Sequence, residues 1–182
     1  MIDTDAIICE LYTPGSLAYD ILTEHSRCVA DKALDAAGAV AHLNPDLGFI
    51  EEAALLHDIG IIFTDSPSIG CHGNQPYLFH GFMGRDFLEK KGLPVHALVS
   101  ERHTLTGLTR DAIVSRNLGL PERDMVPVTL EETIICFADK FFSKTKGEIG
   151  TPKPVDTILT QLSNYGEEYV LTFKTWLETF GY

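Results

Sequence analysis

Ala53-Ala54-Leu55-Leu56-His57-Asp58-Ile59-Gly60 is a run of apolar residues that ends on an imidazole and a carboxylate. Pro45-Asp46 precedes it, and Asp46 suits the N-cap of a helix reaching about Asp58. Gly60 is placed to stop that helix in a left-handed turn. A helix this apolar is expected to be buried. An unpaired carboxylate at its end would cost several kcal/mol, so Asp58 needs a partner of opposite charge.

Working outward, two more helices carry the same anomaly. Residues about 16–40 repeat Leu17, Ile21, Leu22, Val29, Ala33, Ala36 and Ala37 close to a 3.6-residue period, after a Thr13-Pro14-Gly15-Ser16 start. His25 stands at offsets −4, −3 and +4 from Ile21, Leu22 and Val29, so it faces the apolar side. Thr129-Leu130-Glu131-Glu132 is a capping-box pattern opening a helix to about Ser143 or Lys144. Asp139 lies in its apolar stretch Ile134-Ile135-Cys136-Phe137-Ala138, with Phe142 on the same side. Further helices are expected near 77–91, 94–102 and 109–117. One or two more follow the Thr151-Pro152-Lys153-Pro154 turn. The best strand candidate, Ile59–Phe63, is short and contains a glycine. The expected fold is all-α, a compact multi-helix domain. The Gly- and Ser-rich segment 64–76 and the segment 117–127 are the candidate functional loops.

Length and composition bound the function. A chain of 182 residues suits one domain over 1–182, with a core at about 20–145 and a helical extension at about 152–182. It should bury roughly 70% of the surface its unfolded form exposes, so it needs no disulfide staple. The apolar fraction of 45% and charged fraction of 22% are those of a globular protein rather than a disordered one. The formal net charge of −12 argues against a nucleic-acid polymer as partner. No stretch suits a membrane span, and the acidic N-terminus does not read as a signal peptide. Cys9, Cys28, Cys71 and Cys136 form no CxxC pair, so reduced thiols and a cytoplasmic location are expected. Cys28 and Cys136 read as small buried hydrophobes.

A lone histidine on an apolar face is commonly a hydrogen-bonded core residue. Here His25, His57, Asp58 and Asp139 share one problem, and a divalent cation solves it for all of them, because imidazole nitrogen and carboxylate oxygen are its natural ligands. The order His25 … His57-Asp58-Ile59-Gly60 … Asp139 resembles the HD-domain superfamily of metal-dependent phosphohydrolases, over about residues 20–145. The resemblance implies an all-α fold and makes His25, His57, Asp58 and Asp139 ligands of a first ion. His80 and His103 fall between the His-Asp pair and the last aspartate. That order is similar to the superfamily branch with two ions, in which Asp58 would bridge and His80 and His103 would hold the second.

The function so implied is hydrolysis of a phosphate ester or anhydride of a small nucleotide or related metabolite by a metal-activated hydroxide. Two divalent ions, two aspartates and a hydroxide leave a centre of about +1, which lets an acidic protein receive a phosphate. Fe, Mn, Zn, Ni, Co or Mg would serve. Asp58 is the shared catalytic carboxylate. Lys140 and Arg102, with Arg85 after them, are the candidate phosphate or acid contacts, because neighbours of ligands reach a cavity rim. The same ligand order also resembles HD-type di-iron oxygenases. A nucleotide or metal sensor without catalysis is the third reading. Of the other histidines, His42 reads as a solvated cap, His96 as a surface residue and His72 as a loop residue that could meet substrate. The aromatic C-terminus (Phe173, Trp176, Leu177, Phe180) is expected to pack on the domain, with a homodimer face as the alternative.

Overall fold

The computed structural model describes residues 2–145 and 147–182; Met1 and Lys146 lie outside the described residues. The helices run α1 (Thr4–Cys9), α2 (Leu17–Ala39), α3 (Leu47–Leu56), α4 (His80–Lys90), α5 (Pro94–Arg102), α6 (Arg110–Ser115), α7 (Leu130–Asp139), α8 (Val155–Ser163) and α9 (Glu167–Phe180). The fold is all-α. The sheet among the described residues is a hairpin of β1 (Asp65–Ser66) and β2 (Cys71–His72), pairing Asp65 with His72 and Ser66 with Cys71.

Side-chain caps start the helices that matter. Ser16 Oγ accepts from the Tyr19 N–H (3.2 Å), Asp46 Oδ1 from Phe49 (3.0 Å) and Thr129 Oγ1 from Glu132 (3.1 Å). Each satisfies a backbone donor that the first helical turn leaves free. The capping box at Thr129 is only half formed. The Glu132 carboxylate accepts from the Val128 N–H (2.9 Å) and from Arg102 instead of closing on Thr129.

Several boundaries differ from expectation, and the differences shape the site. Helix α3 ends at Leu56, two residues early, and Ile59–Phe63 forms a 3₁₀ turn. Gly60 has no positive φ. A Cβ there would overlap the His80 carbonyl and the Gly84 backbone, so glycine is required by close approach rather than by a left-handed turn. Helix α4 begins at His80, after a 3₁₀ turn at Tyr77–Phe79. Helix α7 stops at Asp139, four or five residues before the expected end, which leaves Lys144 in irregular chain beyond it. Helix α1 is an element that the sequence pattern did not disclose.

Two apolar clusters make the core. One joins Val29 to Val40 of α2 and its end with α3, α7, α8 and α9. The other joins Ile8, Tyr12, Ile21 and Leu22 with Leu56, Ile59, Ile61 and Leu88. Their border crosses α2 between Leu22 and Val29, and α3 between Ala54 and Leu56. His25 and His57 sit on that border. Tyr12 helps hold it, its hydroxyl donating to Ile59 O (2.7 Å) and accepting from Ile62 N–H (3.1 Å). The C-terminal aromatics pack within the chain. Phe173 and Phe180 lie on Phe137 of α7, with ring centroids 5.3 and 4.9 Å away.

Candidate metal centre

His25, His57, Asp58 and Asp139 bring one ligand atom each into a buried group whose atoms lie within 4.8 Å of one another; Asp58, His80 and His103 form a second such group. Apart from Asp58, which follows α3, and His25, in the middle of α2, these residues stand at helix ends. His57 is the C-cap of α3, His80 opens α4, His103 is the C-cap of α5 and Asp139 closes α7.

The helix ends also fix the histidine tautomers. His57 Nδ1 lies 2.6 Å from Ala54 O, His80 Nδ1 2.6 Å from Tyr77 O and His103 Nδ1 2.7 Å from Ser100 O. In each case the acceptor is the carbonyl three residues back, at the C-terminal end of a helix or turn; the Tyr77 carbonyl also accepts the His80 backbone N–H. A carbonyl accepts only, so Nδ1 carries the hydrogen and Nε2 presents its lone pair inward. The His80 and His103 Nε2 atoms then face one another at 3.0 Å. Two lone pairs at that distance require a cation or a proton between them.

Asp58 divides the cluster. Its Oδ2 lies 3.2 Å from both His25 Nε2 and His57 Nε2, while Oδ1 lies 3.4 Å from His80 Nε2 and 3.3 Å from His103 Nε2. Asp139 Oδ1 completes the first group, 3.1 Å from His25 Nε2 and 3.5 Å from His57 Nε2. His57 Nε2 and Asp58 Oδ1 have no hydrogen-bond partner despite full burial, whereas Asp58 Oδ2 is met by the Lys144 ammonium at 2.6 Å. Buried polar atoms left without a partner are costly, and a divalent cation among these ligands would satisfy them. The residues present therefore fit divalent metal ions.

The electrostatics agree with a strongly polar centre. Burial opposes a charge on His57, but Asp58 and Asp139 outweigh it and raise the imidazole to about 9, so an ion bound there would displace a proton from Nε2 before the lone pair is free. Burial dominates at His80 and lowers it to about 3, and it also lowers His103. Burial would raise the Asp58 carboxyl, yet Lys144 and His57 hold it well below the usual range. At Asp139 burial is likewise overcome, there by Lys140 and Lys144.

Packing holds the ligands in place. Ser100 Oγ donates to His57 O (2.7 Å), tying α5 to the His-Asp turn. Gly81 and Gly84 let α4 approach α5, since a Cβ would press on the Ser100 carbonyl at the first and on its hydroxyl at the second. Lys140 Nζ donates to His103 O (2.8 Å) and Asp139 Oδ2 (2.7 Å), which turns Asp139 Oδ1 toward the histidines.

A cavity of about 460 Å³ opens on the centre, lined by His80, His103, Asp139, Lys140 and Lys144 at one end and by leucines, Arg116 and Tyr165 beyond. Lys140 reaches it; Arg102 does not. The Arg102 guanidinium is held by both Glu132 oxygens (3.0 and 2.9 Å). Arg85 is held by Glu101 and Glu89. His96 is buried, not superficial, with Nε2 3.3 Å from Glu52 and its ring edge-on to Phe49. His72 is exposed on β2, and His42 is exposed in the Ala41–Leu43 turn. Cys136 is buried, Cys28 only partly. The residue that sequence reasoning missed is Lys144, whose Nζ lies 2.6 Å from Asp58 Oδ2. No local pattern marks it, since it falls in irregular chain after α7.

Comparison with known families places this centre. The HD-domain family model matches residues 22–143. The chain belongs to the HD-domain family. An uncharacterized protein of Methanocaldococcus jannaschii is 33% identical over 134 residues, 72% of each chain. The tRNA (cytidine(56)-2'-O)-methyltransferases of Picrophilus torridus and Thermoplasma volcanium are 30% and 31% identical over 136 and 137 residues. These matches cover 74% and 75% of this HD-domain chain but only 35% of either methyltransferase. No solved structure matches the chain significantly. No helix among the described residues is long and apolar enough to cross a membrane.

Proposed function

We propose that this HD-domain protein is a metal-dependent phosphohydrolase acting on a phosphate ester or anhydride of a small nucleotide or related metabolite. The observation that carries the reading is the division of Asp58, one oxygen toward His25 and His57 and the other toward His80 and His103. His25, His57, Asp58 and Asp139 would hold one ion, and Asp58, His80 and His103 a second. Divalent ions in that arrangement polarise a phosphoryl oxygen and lower the pKa of bound water. The protein's own part is positional. Histidines locked through Nδ1 cannot rotate, and Lys140 keeps Asp139 turned inward. The cavity offers an apolar wall of leucines beside the centre for the rest of a substrate.

The likeness to the methyltransferases extends over about a third of their length, and methyl transfer is not carried over to this chain. A net charge of −12 favours a small substrate over a tRNA, in a cytoplasmic setting. The test is elemental analysis of the purified protein beside phosphate release from nucleotide and aryl phosphates. About two ions per chain, lost in Asp58→Ala together with phosphate release while helical circular dichroism persists, is the expected result. Full activity in Asp58→Ala would overturn the site. Bound iron with dioxygen consumption and no phosphate release would turn the reading to an oxygenase.

A further inference from the structure

Among the described residues, Arg116, Lys140 and Lys144 are the cations that border the cavity at the centre, and the first two are already committed. Arg116 donates to Tyr165 O (2.5 Å) and to Glu168 Oε1 (2.7 Å). Lys140 is bound to His103 O and Asp139 Oδ2. Lys144 differs. Its ammonium rests on Asp58 Oδ2 (2.6 Å), with Asp139 Oδ1 3.9 Å away. Those are oxygens that the cluster geometry offers to a divalent ion. Lys144 also lines two cavities, the one of about 460 Å³ and a second of about 400 Å³ walled by Ser66, Ser68 and Thr145. Its side chain therefore stands where the two spaces meet the centre.

We propose that Lys144 is the residue that grips the substrate's phosphoryl group. The argument is one of competition. A divalent ion and an ammonium cannot share the same carboxylate lone pairs without repelling each other, and the ion carries the larger charge. Once the ion claims Asp58 Oδ2, the ammonium needs another anion. Its long, rotatable stem can turn it into either cavity, and it binds phosphate as a point charge. The identity of that anion rests on the phosphohydrolase reading above. Lys140 is a positioning residue by contrast, since it acts through Asp139.

The experiment loads the full chain with Mn²⁺ and measures both its Mn²⁺ content and its affinity for inorganic phosphate by calorimetry. Lys144→Met should keep its Mn²⁺ but bind phosphate about tenfold more weakly or worse, the loss expected for one charge-assisted hydrogen bond. Lys144→Arg should restore most of the affinity. Lys140→Met should lose Mn²⁺ from the group that contains Asp139. Phosphate affinity in Lys144→Met within about twofold of the parent would overturn the assignment. So would loss of Mn²⁺ as complete as in Lys140→Met, which would make Lys144 a prop for Asp58. Should the methionine variant fail to fold, Lys144→Gln is read by the same criteria. A parent protein that binds phosphate through Lys144 yet hydrolyses no phosphate ester or anhydride would sink the phosphohydrolase reading and leave this one standing.

Discussion

Gly60 shows how far a single residue governs the centre. It follows Asp58 by two positions, and its missing side chain lets the His80 carbonyl and the Gly84 backbone press against the turn. The first and second ligand groups are brought together by that contact. Backbone cannot move aside as a flexible side chain can, so Gly60→Ala should destabilise the protein by about 3 kcal/mol, the upper end for overpacking. Urea unfolding checks this; a change below about 0.5 kcal/mol would mean that the turn has slack. The same variant should bind Mn²⁺ less tightly, because His80 is displaced relative to Asp58.

Helix ends are the unit that builds the ligand set. A histidine at a C-cap finds a free carbonyl three residues back, and bonding it satisfies the helix and fixes the imidazole in one step. His57 and His103 do this on α3 and α5, and His80 does it on the turn before α4. The two ligand groups draw on different elements. His25 and Asp139 come from α2 and α7, whereas His80 and His103 come from α4 and α5. Removal of His80 or His103 should therefore empty one ion position while sparing the other, and removal of His25 or Asp139 should do the reverse. Metal content per chain with graded Mn²⁺ reads this directly; equal loss of both ions in every variant would contradict the division at Asp58.

At the scale of the molecule, the centre lies on the border between the two apolar clusters, where elements remote in sequence converge. An ion bound there would tie α2, α3 and α7 together, and a second would tie in α4 and α5. Ions that bind the folded chain and not the unfolded one stabilise it by mass action. At a free concentration of 100 times Kd the gain is about 2.7 kcal/mol per site. For a chain of this size that corresponds to a rise in Tm of roughly 5–10 °C. Chelation followed by a thermal scan should remove that rise in the parent. Asp58→Ala, which offers no bridge, should show little change; an equal response in both would place the stabilising ions elsewhere.

Much of this was legible in the sequence. Helical periodicity and capping residues set α2, α3 and the start of α7 to within a few positions, because local backbone preference and one buried face suffice to define them, but the end of α7 was placed four or five residues too late. The chemistry of the centre was legible at His25, Asp58 and Asp139, because polar groups on apolar helix faces are expensive without a partner. The tertiary structure alone decided what depends on convergence. It showed that Gly60 serves close packing, that Glu132 holds Arg102 away from the cavity and that His96 is buried beside Glu52. It also brought Lys144, in irregular chain without any repeating pattern, onto the carboxylate of Asp58. Sequence determines a residue's own cost of burial, whereas the partner that relieves it is set by which chain segments the fold brings within a few ångströms.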